Sequence, residues 1–169
     1  MSILRLLASS VAVAALFGTA WAAPVTVGDV TFAPKFQEKL EKTYGVREGA
    51  DLARDVKKSL ERRLANVDAP QALRVDVEIV DAQPNRPTFK QLTDKPGLSL
   101  QSIGVGGASL RGVLRDAAGV EVSVVAYDWY ETDIRNVTAS STWTDANRAF
   151  HWFASRIKGV AAGPAKPAA

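Results

Sequence analysis

The chain has no cysteine and a single histidine, His151, among its 169 residues. The missing thiol excludes disulfides, thiolate nucleophiles and cysteine-based zinc sites together. One imidazole is too few for a histidine-based metal centre. No G-x-S-x-G elbow occurs, so nothing marks a serine nucleophile for His151 to serve. His151 is therefore read as a half-exposed residue on the surface of a helix. Long runs of one charge are lacking as well: 21 basic residues face 18 acidic ones, a net charge of +3. The densest basic cluster, Lys57-Lys58 with Arg62-Arg63, is broken by Glu61 and reads as a solvated helix face. Charge spread so evenly does not suit nucleic-acid binding.

Only one apolar stretch is long enough to raise the question of a membrane. Arg5 precedes an apolar run from Leu6 to Phe17, and small residues follow at Ala20 and Ala22. That is the layout of a cleavable secretory leader, with the cut expected between Ala22 and Ala23. The run is shorter than the ~20 residues a spanning helix requires, so no transmembrane segment is expected in the mature chain. Removing Arg5 with the leader leaves 20 basic against 18 acidic residues. An exported chain without disulfides must rely on its core, which fits a bacterial periplasm. The sequon Asn136-Val137-Thr138 is then incidental. Residues 23–160 are expected to form one domain, and the proline-bearing small residues of 161–169 a disordered tail.

Within 23–160 the periodicities are clear. Pro24 to Phe32 is rich in Val and Thr and reads as a short strand. Pro34 opens a helical region with a stop at Gly45. Leu52, Val56, Leu60 and Leu64 then recur every fourth residue and predict a helix that covers something. Leu73, Val75, Val77 and Ile79 alternate with Arg74, Asp76 and Glu78, the pattern of a strand with one wet face. Two further strand patterns meet at Asp116–Gly119, a tight hairpin connection. The first of them carries Gly104, Gly106, Gly107 and Gly112, which suggests a bulged or twisted edge strand, not a phosphate loop, because no helix start or Lys-Ser/Thr pair follows. Trp143, Ala146, Phe150, Phe153 and Ile157 give a final aromatic helix, with Thr142 and Asp145 at capping-box spacing. The order β-α-β-β-β-α predicts an α+β fold: about four strands in a mixed or antiparallel sheet, with two helices packed on one face.

One segment has no period. Asp81 to Gln101, DAQPNRPTFKQLTDKPGLSLQ, holds three prolines between two strands, and long connections of this kind in compact domains are functional or disordered. Phe89 and Leu92 are expected to anchor it to the body, leaving Asn85, Arg86 and Thr88 at a polar tip. With Tyr127, Trp129 and Tyr130, these form the candidate binding set, suited to a protein or glycan partner. The rival reading is a rigid loop that shields a sheet edge. Asp128, Glu131 and Asp133 are the only carboxylate group with any catalytic or cation-binding promise. The alternation of a strand divides them between faces, so no metal, cofactor or catalytic residue is assigned.

The phrases YGVREGADL, DAQPNRPTF, SIGVGGASLRG, WYETDI and TWTDANRAFHWFA together resemble an uncharacterised family of small exported proteins of Gram-negative bacteria. The resemblance spans about Val30 to Ile157. In element order the chain is also similar to small α+β domains of periplasmic outer-membrane lipoproteins, from which it departs by lacking a lipid-acceptor cysteine. The resemblance implies a periplasmic location, carries no known catalytic role and transfers no functional residue. The loop and the wet sheet face themselves lead to the expectation of a non-catalytic protein that binds another envelope component, protein or glycan, through the 83–101 loop and the exposed sheet face. A small hydrolase acting on cell-wall material and a binder of small apolar ligands are the alternatives.

Overall fold

A computed structural model describes residues 23–138 and 141–163; the expected leader and residues 164–169 of the expected tail lie outside them. The strands are β1 (Val25–Phe32), β2 (Leu73–Gln83), β3 (Gly107–Arg115) and β4 (Glu121–Tyr130). The helices are α1 (Pro34–Lys39), α2 (Val46–Leu64), α3 (Phe89–Asp94) and α4 (Thr144–Ala161). The sheet order is β1-β2-β3-β4, with β1 parallel to β2 and the other pairs antiparallel. The fold is α+β, with a four-stranded mixed sheet. Among the described residues, no helix is long and apolar enough to cross a membrane.

The expected stripes make the core. Leu52, Val56, Leu60 and Leu64 of α2, and Phe150, Phe153 and Ile157 of α4, are buried in the same cluster as Leu73, Val75, Val77 and Ile79 of β2. Both long helices therefore press on one side of the sheet, because a stripe and a pleated face can each hide only one side. Phe36 and Leu40 extend this cluster from α1 and the π-helical turn that follows it, and Gly45 makes the elbow into α2.

Three local expectations are corrected. The glycine-bearing strand β3 is interior, between β2 and β4, and does not lie at an edge. Its glycines serve close approach: a Cβ on Gly112 would stand 2.8 Å from both Ile157 Cδ1 and Phe153 Cζ, so its absence lets α4 sit down on the sheet. The capping box is not at Thr142 and Asp145, because α4 starts after Trp143 with no side-chain cap from that residue. It lies instead at Thr88 and Gln91, where it starts α3 inside the segment expected to be structureless. The hairpin is as expected: Gly119 N–H donates to Asp116 O at 3.0 Å, and the Asp116 carboxylate accepts from the backbone of Ala118 and Val120.

Two substitutions test this packing by urea unfolding. Phe153→Ala should remove about 3–5 kcal/mol of stability through the cavity it leaves. Gly112→Ala should remove about 1–3 kcal/mol by overpacking the same spot.

Candidate functional site

The proline-rich segment is bolted to the body by one asparagine. Asn85 is 1% exposed and Asp145, the second residue of α4, is 0% exposed. The Asp145 N–H donates to Asn85 Oδ1 at 2.8 Å, while Asn85 Nδ2 donates to Asp145 Oδ2 and, at 3.0 Å, to Gly104 O. The backbone of Asn85 is engaged too: its N–H donates to Thr142 O at 2.7 Å and its carbonyl accepts from Gly104 N–H at 2.8 Å. Gly106 N–H adds a bond to Asp145 Oδ2 at 3.2 Å, and Arg148 Nη1 lies 3.4 Å from Asp145 Oδ1. A helix start leaves unpaired N–H groups and favours a negative charge. Asn85 supplies the first need from 60 positions away, and the Asp145 carboxylate the second. A Cβ on Gly106 would fall 2.7 Å from Asn85 Oδ1, so the clamp requires glycine there.

Beyond the clamp, Thr88 is buried and caps α3, with Gln91 returning the bond to the Thr88 backbone. Arg86 Nη1 donates to Leu100 O at 2.8 Å, tying the two limbs of the segment together. Asn85 and Thr88 thus hold the segment from within instead of standing at its tip. Phe89 does not anchor it: its side chain is 80% exposed at the start of α3. The sequence reading missed this, although the T-x-x-Q spacing of Thr88 and Gln91 was a visible sign of the helix that points Phe89 outward.

Helix α3 separates two clefts. One, of about 180 Å3, lies among Pro84, Arg86, Pro87, Leu98 and Ile103. The other, of about 500 Å3, opens between α3 and the α1–α2 elbow, with Phe89 and Lys90 on one wall and Tyr44, Val46 and Glu48 on the other. Val46 is 63% exposed. The floor of this second cleft is stiff, since the Trp143 indole donates to Glu48 Oε2 at 2.6 Å and stacks edge-on against Tyr44. Exposed apolar groups thus collect on a loop whose backbone is fixed.

The three aromatic candidates of β4 divide between faces, as strand alternation demands. Tyr127 and Trp129 lie on the helical side: the Arg156 guanidinium stands 4.9 Å over the Tyr127 ring, and Trp129 meets Trp152 edge-to-face at 4.6 Å. Tyr130 lies on the other side near the Ser109 hydroxyl, and burial pushes its phenol up. They do not form one patch with Asn85, Arg86 and Thr88.

The three carboxylates have local employment. Asp128 accepts from Ser109. Glu131 Oε1 accepts from the backbone of Thr132 and Asp133, and the Asp133 backbone N–H above all holds its carboxyl below the usual range. Asp133 is gripped by Arg135. No group of three metal-ligating side chains occurs among the described residues. The space between helices and sheet is filled by Phe36, Phe150 and Phe153, all 0% exposed, so an apolar ligand there would have to displace them. The wet sheet face is largely self-neutralised. Arg74 bridges Asp29 at 2.8 Å and Asp76 at 2.8 Å, and Arg115 lies 3.6 Å from Asp76.

No protein-family model and no curated protein matches the chain. Among solved structures, a provisionally named lipoprotein from Caulobacter crescentus CB15 is 18% identical with a TM-score of 0.35, covering 66% of this chain and 80% of that one. A provisionally named homologue of the neuraminyllactose-binding hemagglutinin from Helicobacter pylori is 11% identical with a TM-score of 0.41, covering 82% of each. Likenesses at this level carry no functional argument.

Two predictions follow from these networks. Asn85→Ala strands the buried Asp145 carboxylate and should lower stability by about 3 kcal/mol. Amide exchange at Gly104 and Gly106 should quicken in the same variant more than exchange in β2. The second concerns Asp76. Burial raises its pKa, but the Arg74 guanidinium, the Asp29 N–H and Arg115 outweigh that and hold it below the ordinary 3.8. A depressed folded-state pKa stabilises above the unfolded value and is lost as pH falls through the folded one. The stability advantage over Asp76→Asn should therefore be full at neutral pH and shrink below pH 3.8, as read by thermal melts across pH.

Proposed function

We propose that this is a non-catalytic, exported protein of the bacterial envelope that binds another envelope protein through the 83–101 segment. The observation that carries this reading is Phe89, 80% exposed on a helix that is itself capped and clamped. A phenyl ring held in water by a rigid backbone loses apolar hydration on binding and needs little ordering to do so. Beside it, the ~500 Å3 cleft offers an apolar wall at Tyr44 and Val46 within a polar rim of Glu41, Arg47 and Asp51. An aromatic anchor, a neighbouring recess and a polar surround are the usual make-up of a protein-binding hot spot. The occupant expected here is a protein segment that presents an apolar side chain. Export and a periplasmic address rest on the leader pattern of residues 1–22.

The reading is tested by crosslinking in intact cells, with residues mapped, followed by purified binding. Phe89→Ala should weaken capture of the crosslinked partner by about tenfold or more. Its melting temperature should stay within a degree or two, since the ring buries almost nothing. A partner retained at full strength by Phe89→Ala, or no crosslink at the segment at all, would overturn the proposal.

A further inference from the structure

The helical side of the molecule carries a second feature, independent of the α3 region. We propose that the groove between α2 and α4 is a binding site for a phosphate group. A cleft of about 260 Å3 is lined by Ser59, Arg62, Arg63 and His151. Ser59, Arg62 and Arg63 share one face of α2, being three and four residues apart, and α4 adds His151 from the opposite wall. The sequence alone shows Arg62 and Arg63 as an exposed basic pair. The fold adds the Ser59 hydroxyl and the His151 imidazole that turn the pair into a recess.

Arg63 is held in place for the task. Its Nε and Nη2 donate to Ser155 Oγ at 3.0 and 2.6 Å, and Ser155 Oγ donates in turn to the His151 carbonyl at 2.9 Å. Nη2 also lies 3.3 Å from His151 Nε2. A guanidinium only donates, so that contact makes Nε2 the acceptor and leaves Nη1 available to a ligand. Arg62 is anchored only by Nε to Lys58 O at 3.3 Å. Among the described residues, neither arginine is in an ion pair with a carboxylate, although ten ion pairs occur elsewhere, from Lys39–Asp81 to Arg148–Asp145. Of the nearby acids on α2, Glu61 falls on the opposite side of the helix, while Asp55, one turn before Ser59, lies 3.9 Å from Arg54 and is in no ion pair with Arg62 or Arg63. Two guanidiniums, one of them pre-oriented, thus line a concave space together with the Ser59 hydroxyl and the His151 ring, and no carboxylate lines it. The Nη1–Nη2 fork of Arg62, matched to two oxygens, suits a phosphate better than a single-point cation would, and Nη1 of Arg63 adds to it. The group could come from a free phosphate or from the headgroup of an anionic lipid.

Calorimetry with inorganic phosphate, and co-sedimentation with phosphatidylcholine vesicles with and without phosphatidic acid, separate these sources. The full mature chain should bind saturably in at least one arm. Arg62→Gln and His151→Gln, both at exposed positions, should each weaken that binding about tenfold with the melting temperature unchanged. Arg63→Gln should weaken it further, and Lys35→Gln on α1 should leave it as it was. Binding in the first arm only assigns a small phosphate compound, and in the second only a membrane surface. Absence of saturable binding in both arms, or binding that Arg62→Gln and Arg63→Gln leave intact, overturns the proposal.

Discussion

The amide of Asn85 on the first turn of α4 is the interaction on which the architecture of this end of the molecule depends. Helix starts are ordinarily capped by a neighbour in sequence, and here Trp143 offers no such oxygen. The cap comes from a different part of the chain, so the first turn of α4 is satisfied only where the proline-rich segment is docked on it. Helix and segment are thus mutually dependent. The carboxylate of Asp145, fully buried, is tolerable only because Asn85, Gly106 and Arg148 all donate or lie close to it. Removing one donor weakens the solvation of a charge held in a place of low dielectric.

That dependence also explains what could be read from sequence and what could not. The stripe of Leu52, Val56, Leu60 and Leu64, the alternation from Leu73 to Ile79 and the Phe150–Phe153–Ile157 seam are periodic, and period alone places them in the core. The grouping of Tyr127, Trp129 and Tyr130 in one binding set ran against that same logic, since odd and even positions of a strand cannot share a face. A tertiary cap has no period. Thr142 and Asp145 carried the spacing of a local capping box, and the stronger non-local oxygen of Asn85 displaced it. Phe89 was misjudged by a related rule of thumb: a large apolar residue in a polar loop is expected to turn inward, but the Thr88–Gln91 box fixes the phase of α3 and turns the ring to solvent.

The glycines follow from the same constraint. Gly106 is compelled by the Asn85 amide, and Gly112 by the rings of α4. A motif-level glance at GVGGASLRG suggests phosphate chemistry, whereas the chemistry suited to phosphate lies on the helices, at arginines that no glycine pattern announces.

Surface charge completes the division of labour. On the wet face of the sheet, Asp29, Arg74, Asp76 and Arg115 satisfy one another, and such a face has little field left over to recruit a charged partner. On the helical face, Arg62 and Arg63 are not neutralised in this way. At the α3 end the prominent groups are apolar, and their backbone is immobilised by a buried network. An interface gains from apolar burial only what it does not spend on ordering itself, and a clamp that already stabilises the fold meets that ordering requirement before any partner arrives. The clamp thus connects stability to recognition: the hydrogen bonds that close the start of α4 also hold Phe89 where a partner can reach it.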